Sequence, residues 1–348
     1  MSALGFLRRH LSAFVIVILA IVLGAGIPRL FPSPYYLNLF VILIVNAVLA
    51  MAFVLMLRAG LINLGLASFW GLGGYASALL VMKLGLSFWA SLPLATIISA
   101  LLALILGYIL IGSGSSGFTF VILSSVIGML FTVIVGSIRS IGGYSGLSKI
   151  PRPNAIKLPG LPALTFTSKA HLFYLAVFLF VIIVFVLRAF YSAWTGRAWT
   201  AIALNPRLAE SVGVNVFKFR LLSFVTGSAV VGLIGSFYAH YSGFLSPNTF
   251  GIWENINLQI FAILGGIGFP IAGPLLGSAV MTLLTESMRS VNTVAPAVQG
   301  GILVLLILFL PTGLLGLLQL RNSAKERTAQ AYTAVGSGLT RLLRQQRR

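Results

Sequence analysis

Apolar residues occur along this chain in long runs, separated by short polar or basic stretches. The runs fall at about 12–30, 37–57, 61–82, 88–111, 118–138, 172–190, 221–242, 255–271, 272–288 and 298–318. A helix crossing a hydrocarbon core about 30 Å thick needs about 20 consecutive apolar residues. The pattern therefore predicts an all-α polytopic membrane protein with about ten transmembrane helices. The run at 61–82 is rich in glycine, and the pair 255–288 has room for a re-entrant segment. The first run follows Arg8, Arg9 and His10 as a signal peptide does. Its length and the lack of an A-x-A site favour a retained helix.

Composition supports this reading. Of 348 residues, 59% are hydrophobic and 8% charged, against about 25% charged in soluble domains. Too few polar side chains exist to cover a soluble surface, and disorder requires low hydrophobicity. Cysteine is absent, which excludes disulfides and thiol chemistry.

Lys and Arg total 23 against 4 acids, the acids being Glu210, Glu254, Glu286 and Glu326. The basic residues flank apolar runs, as in cytoplasmic loops beside anionic lipid, and nucleic-acid binding is not expected. Arg8 and Arg9, the 191–220 loop and the 321–348 tail fall on one side of a ten-span arrangement. The positive-inside rule makes that side cytoplasmic, with both termini. The loop at 139–171 resists the rule. It carries Arg139, Lys149, Arg152, Lys157 and Lys169, yet parity places it outside. Its four prolines predict extended or turn-rich chain.

The chain divides into a transmembrane domain, 1–320, with a cytoplasmic loop at about 191–220, and a basic tail, 321–348. Leu339, Leu342 and Leu343 of the tail suit either an anionic lipid surface or a solvated end. Within the 191–220 loop, Asn205 suits an N-cap and Pro206 the first helical position. Leu208 and Val212 fall one turn apart on one face, and Gly213 suits a left-handed stop. A two-turn helix is marginal alone in water. It must dock on its own bundle or on a partner.

Glycines concentrate at Gly60, Gly65, Gly71, Gly73, Gly74 and Gly85, and again at Gly265, Gly266, Gly268, Gly273 and Gly277. Two readings stand open: close packing through small residues, or broken helices at matching positions of two five-helix halves. Asn46, Asn63, Asn257 and Gln259 lie in or beside runs. Glu286 suits either a pair with Arg289 or a pathway role. Glu254 reads as lying at an aqueous edge, and His240 and Tyr241 as interfacial anchors.

No phosphate loop is present, since the glycine-rich 112–117 stretch lacks its lysine. No hydrolase or zinc-protease motif occurs, and with three His and no Asp or Cys a metal site lacks ligands. Neither enzymatic activity nor a cofactor bound by this chain is expected. Ion-driven pumps relay through buried carboxylates, which are scarce here. Uphill movement of a solute would then draw its energy from outside the chain.

Several segments together resemble one family. They are Thr195-Gly196-Arg197-Ala198-Trp199-Thr200-Ala201-Ile202, then Ala209-Glu210-Ser211-Val212-Gly213-Val214-Asn215, and 218–224 beginning at Lys218. Further matches are Ala239-His240-Tyr241, Gly243-Phe244-Leu245-Ser246-Pro247, Leu264-Gly265-Gly266 with Gly273-Pro274, Pro311-Thr312-Gly313-Leu314-Leu315-Gly316, and the segment 60–75. Over about residues 37–318 the chain resembles the M-type membrane permease of branched-chain amino-acid ABC importers. Departures from the family pattern are Leu66 for a His, Ser145 for an Asp, Met129 for a Glu, and Ala203-Leu204-Asn205 before the short helix.

The resemblance implies a bacterial inner-membrane permease with alternating access driven by separate ATPase subunits. A homologous second permease and a solute-binding protein would complete the importer. Coupling would run through Gly196, Arg197, Asn205, Pro206, Leu208, Ala209, Glu210 and Gly213. Asn63, Ser68, Gly73, Gly74, Gly265, Gly266 and Glu286 are the candidate solute pathway. Alternatives are a permease for urea or a nucleoside, an ion-gradient transporter, and a membrane scaffold that moves nothing.

Overall fold

The computed structural model describes residues 33–113, 117–155, 168–288 and 313–316, with the single positions 26, 166, 298, 300, 301 and 304. The expected first span, most of the last one, the basic tail and Arg289 lie outside the described residues.

Five described helices are long and apolar enough to cross a membrane. They are α1 (Pro34–Leu57), α3 (Phe88–Gly112), α4 (Gly117–Ser137), α5 (Lys169–Ser192) and α8 (Val216–Ser242). Between them lie α2 (Leu66–Leu84), α6 (Trp194–Leu204) and α7 (Pro206–Ser211), and α9 (Ile252–Gly265) and α10 (Ala272–Ser287) follow. The starts are sharp where the sequence supplies a cap. Ser33 Oγ accepts the Tyr35 N–H with Pro34 in the first turn, and Ser87 and Ser168 cap α3 and α5 in the same way.

Helix α1 is the central post, and its residues 47–56 are buried without interruption. It packs against α5, α8, α9 and α10. Helix α8 forms a second centre by packing on α2 and α3. These close crossings rest on small residues. On α3, Ser91, Ala95, Ser99, Ala103 and Gly107 recur every fourth position and are buried. A Cβ on Gly232 of α8 would collide with the Ser99 side chain, and one on Gly73 of α2 would collide with the Gly232 carbonyl. The outer faces of α3 and α4 stay uncovered, with Ile97, Leu101, Ile105, Phe118, Ile122 and Val133 exposed. A bilayer is as apolar as these side chains and receives them without penalty.

The two runs at 255–271 and 272–288 do not make full spans. Helices α9 and α10 have 14 and 16 residues, about 21 and 24 Å at 1.5 Å per residue. Gly266 at φ +110° ends α9. The chain then turns back, so that Gly265 packs on Gly273, and Phe261 and Gly265 on Gly277. The pair is an antiparallel hairpin of short helices. Helix α2 starts at Leu66, so 58–65 is a non-helical break after α1. The packing reading of the glycines holds at Gly73 and Gly232, and the chain is non-helical at 58–65 and folds back at 266–271.

At the end of α8 the chain forms a short antiparallel β pair. Strand β1 (Leu147–Ser148) meets β2 (Phe244–Leu245), with Leu147 opposite Leu245. The Ile150 N–H adds a bond to the Gly243 carbonyl at 3.1 Å. This fastens the 139–155 loop over α8. His240 is corrected here: it is fully buried, not an interfacial anchor. One ring nitrogen meets the Ser77 Oγ at 3.0 Å, the other meets the Pro151 carbonyl at 2.6 Å, and Phe88 packs on its edge. The loop folds over the helix end and removes the imidazole from the interface. Tyr241 does reach a partner, donating to Asn38 Oδ1 at 2.7 Å.

Candidate functional site

The first candidate element is the segment joining α5 to α8. Gly196 packs so closely on the Tyr191 backbone that a Cβ there would collide with it. This lets the chain reverse from α5 into α6. Trp199 anchors α6 from below. It is fully buried, its Nε1 donates to the Phe219 carbonyl at 2.8 Å, and its ring stacks on Phe190. Asn205 Oδ1 then accepts the Leu208 N–H at 3.1 Å, with Pro206 in the first turn of α7. Gly213 closes α7 at φ +86° and donates to the Glu210 carbonyl at 2.9 Å. Asn215 caps α8 through the Lys218 N–H.

Only one side of this short helix is held. Ala209 is buried in a small cluster with Ala198, Ile202, Val214 and Val216. Beside it Leu208 of α7 and Val212 at its C-cap are 64% and 73% exposed, one turn apart. Leu204, the last residue of α6, is 83% exposed. Arg197, Arg207, Glu210 and Lys218 of the same segment are exposed. All eight expected coupling residues lie in this one segment. Leu204 is a further exposed apolar residue of this segment, but it lies on α6, because the extended Asn205 breaks the helix between it and Leu208.

The second element is the break at 58–65. Asn63 is buried, and its Oδ1 accepts the Gly65 N–H at 2.8 Å. Ser124 Oγ of α4 accepts the Leu64 N–H at 3.1 Å, and Asn255 Oδ1 of α9 accepts the Ala67 N–H at 2.7 Å. Ser68 Oγ donates to the Gly65 carbonyl. Thus the entry to α2 lies deep in the molecule: the amides of Leu64 and Gly65 before it are held by Ser124 and Asn63, and Asn255 supplies the acceptor that Ala67 in its first turn lacks within the helix. Asn255 and Ser124 were not among the candidate pathway residues. The signal for Asn255 is its stripe: Asn255, Leu258, Ala262 and Gly265 are all buried on one side of α9. An amide on an apolar face needs a buried partner.

The break is tied to its surroundings at the end of the bundle that carries the α5–α8 segment. Arg58 donates to the Gly268 carbonyl in the α9–α10 turn at 3.0 Å, and its guanidinium lies 5.3 Å from the Tyr191 ring centroid. Arg220 Nε donates to the Ala59 carbonyl at 3.3 Å.

The remaining candidates do not converge on one point. Gly73 and Gly74 pack against α8. Gly265 and Gly266 form the hairpin turn, against which Gly313 also packs. Glu286 accepts a hydrogen bond from the Tyr35 hydroxyl. Tyr35 opens α1 and Asn63 follows its end, so about 30 Å of helix separates Glu286 from the break. Asn46 donates to Thr282 Oγ1 at 3.3 Å, holding α1 to α10. Glu254 accepts from Asn257 Nδ2 at 3.4 Å in the first turn of α9, and Gln259 donates to the Asn255 carbonyl.

A bundle of helices long and apolar enough to cross a membrane is the architecture of a polytopic membrane protein. The family model described as "Branched-chain amino acid transport system / permease component" matches residues 35–311. A high-affinity branched-chain amino acid transport system permease protein, LivM of Salmonella typhimurium, is 28% identical over 291 residues, covering 78% of this chain and 67% of the relative. LivH of Escherichia coli is 30% identical over 124 residues, 35% of this chain and 39% of LivH. BraD of Pseudomonas aeruginosa is 30% identical over 149 residues, 41% of this chain and 48% of BraD. No solved structure matches the chain. The chain belongs to the branched-chain amino-acid permease family and is a multi-pass membrane permease subunit of an ABC importer. The family expected from the sequence is the family found.

Proposed function

We propose that this subunit carries branched-chain amino acids, or a closely related small polar solute, across the bacterial inner membrane by alternating access. Separate ATPase subunits bind and hydrolyse the ATP, and this chain holds no cofactor. A homologous second permease completes the channel, and a solute-binding protein delivers the solute from outside. Both termini and the 191–220 loop face the cytoplasm, and the 139–171 loop faces outward. The observation that carries this reading is the exposed pair Leu208 and Val212 on a short helix anchored to the bundle by Ala209, with exposed Leu204 just before its cap. A short apolar patch on an anchored helix is shaped to fill a groove on a partner. The free energy separating outward and inward states enters through that contact, because a partner shifts an equilibrium only by its differential affinity for the two states.

The test is purification of the tagged chain from its native membrane in mild detergent, with mass spectrometry of what accompanies it. A second permease and P-loop ATPases are expected with the wild type. The ATPases should be lost from Leu208→Asp/Val212→Asp while the membrane level of the permease holds. ATPases retained at wild-type levels by that variant would remove the pair from the docking surface. Recovery of the chain alone, with gradient-driven uptake in vesicles, would replace the importer reading with a secondary transporter.

A further inference from the structure

The 139–171 loop places basic residues on the side of the membrane where the positive-inside rule expects few. Two of them have a shared location. Arg152 and Lys169 line a cavity of about 340 Å³ with Asn38 of α1 and with Tyr238, Tyr241 and Ser242 of α8. Ile42 and Leu172 supply apolar wall to the same cavity. This volume falls in the range of small-molecule sites, which combine apolar walls with a few convergent polar groups.

The cavity is built rather than incidental. The β1–β2 pair and the Ile150–Gly243 bond fix the loop just before Arg152. His240 holds the Pro151 carbonyl, and Trp89 Nε1 donates to the Asn154 carbonyl at 3.0 Å, so the backbone on both sides of Arg152 is pinned. Lys169 stands in the first turn of α5, next to the Ser168 cap. A cation at a helix N-terminus gains nothing from the helix dipole, so its position is not explained by α5 itself. The Tyr241 hydroxyl donates to Asn38 Oδ1 at 2.7 Å and orients that amide in the wall. Among the described residues the lining holds two cations and no carboxylate.

We propose that this cavity is an outer-face binding site for a carboxylate carried on a short aliphatic body. Arg152 and Lys169 take the carboxylate by charge-assisted hydrogen bonds, and Ile42 and Leu172 take the aliphatic part. The site rests on the importer reading above, in which the 139–171 loop faces outward and the solute is an amino acid. It adds where the permease first holds the solute and by which group. An anionic lipid headgroup presents the same chemistry, and the test separates the two.

The experiment uses the assembled importer in nanodiscs, without the solute-binding protein, and measures equilibrium binding of radiolabelled leucine. Leucine should bind in discs of neutral phosphatidylcholine. 4-Methyl-2-oxopentanoate, which keeps the carboxylate and lacks the ammonium, should compete. Leucinamide, which lacks the carboxylate, should compete at least tenfold more weakly. Arg152→Gln/Lys169→Gln should lower leucine affinity tenfold or more while retaining its partner subunits on size exclusion. Arg152→Lys should recover part of the loss, which a merely structural role would not produce. Equal competition by leucinamide, or unchanged affinity in a double variant that stays assembled, would overturn the proposal. It would also fall if phosphatidylglycerol discs abolished leucine binding by occupying the site at every leucine concentration, marking it as a lipid site. Uptake of leucine by the complete importer is measured in parallel. Lost uptake in the wild type refutes the amino-acid reading, whereas retained uptake with no carboxylate preference refutes this site alone.

Discussion

Asn255 Oδ1 accepts the Ala67 backbone N–H at 2.7 Å, joining the short helix α9 to the opening turn of α2. Both residues are buried, Asn255 at 2% exposure and Ala67 at 0%. Replacing Asn255 by Leu keeps the approximate volume and leaves the Ala67 amide without that acceptor. A buried unsatisfied amide costs about 1–3 kcal/mol. Asn255→Leu should lower thermal stability in detergent accordingly, whereas Asn257→Leu, which removes only the Glu254 bond, should cost less. Equal losses for the two would show that the α2 turn does not depend on this contact.

Gly73 and Gly74 are adjacent and make opposite predictions. A methyl on Gly73 meets the Gly232 backbone well inside contact distance, whereas one on Gly74 meets the Gly235 carbonyl at 3.2 Å and Leu245 at 3.3 Å. Overpacking costs typically about 1–3 kcal/mol. Gly73→Ala should therefore reduce folded yield and uptake markedly, and Gly74→Ala only slightly. Fluorescence-detected size exclusion on both variants checks this. The prediction fails if Gly74→Ala is the more damaging.

These two cases show what can be read from the residues alone. The long spans and their caps are legible, because apolar run length and Ser or Asn before a helix are local signals. Asn205, Pro206 and Gly213 likewise mark α7 through a cap, a first-turn proline and a left-handed stop, all of them local. The shortness of α9 and α10 is less legible. Their apolar residues continue across Gly266, and only the backbone reversal at 266–271 shows that the run is folded back on itself. His240 is misplaced for a related reason: a sequence puts it at a helix end but does not show the 139–155 loop folded over that end. Asn255 is flagged by its place on an apolar stripe, but neither it nor Ser124 reveals its partner, because Ala67 and Leu64 offer only backbone amides, which leave no mark in composition or spacing.

Arg58 links three elements, bonding the Gly268 carbonyl of the hairpin turn and facing the Tyr191 ring at the end of α5. Hydrogen bonds to charged groups contribute about 1.5–3 kcal/mol, and exposed cation–π contacts about 0.5–1. Arg58→Leu removes both. It should leave insertion and ATPase association intact but reduce uptake per ATP hydrolysed, because the hairpin no longer follows the α5–α8 segment. Arg58→Lys, a point charge without the guanidinium fork, should be intermediate. An unchanged ratio of uptake to hydrolysis in Arg58→Leu would confine this residue to a local structural role.

Gly213 tests the proposed coupling role of α7 with the least disturbance elsewhere. Nothing lies within 4 Å of a Cβ at this position, so a side chain there meets no steric obstacle. The constraint is the backbone alone, at φ +86°. An L-residue in left-handed conformation costs about 1–2 kcal/mol. Gly213→Ala should therefore shift the α7 stop only modestly and leave most uptake. Gly213→Pro is different in kind. Proline fixes φ near −65° and removes the N–H that bonds the Glu210 carbonyl, so α7 cannot close as it does here. Because the segment is exposed, the spans should still insert and the protein should reach the membrane at wild-type level. Uptake should fall by an order of magnitude or more for Gly213→Pro, with ATP hydrolysis no longer stimulated by solute. Glu210→Arg, which reverses a charge beside the Leu208 and Val212 pair, should uncouple in the same direction with a smaller effect. Vesicle uptake and solute-stimulated hydrolysis in one preparation decide it, and normal uptake by both Gly213→Pro and Glu210→Arg would remove α7 from the coupling path.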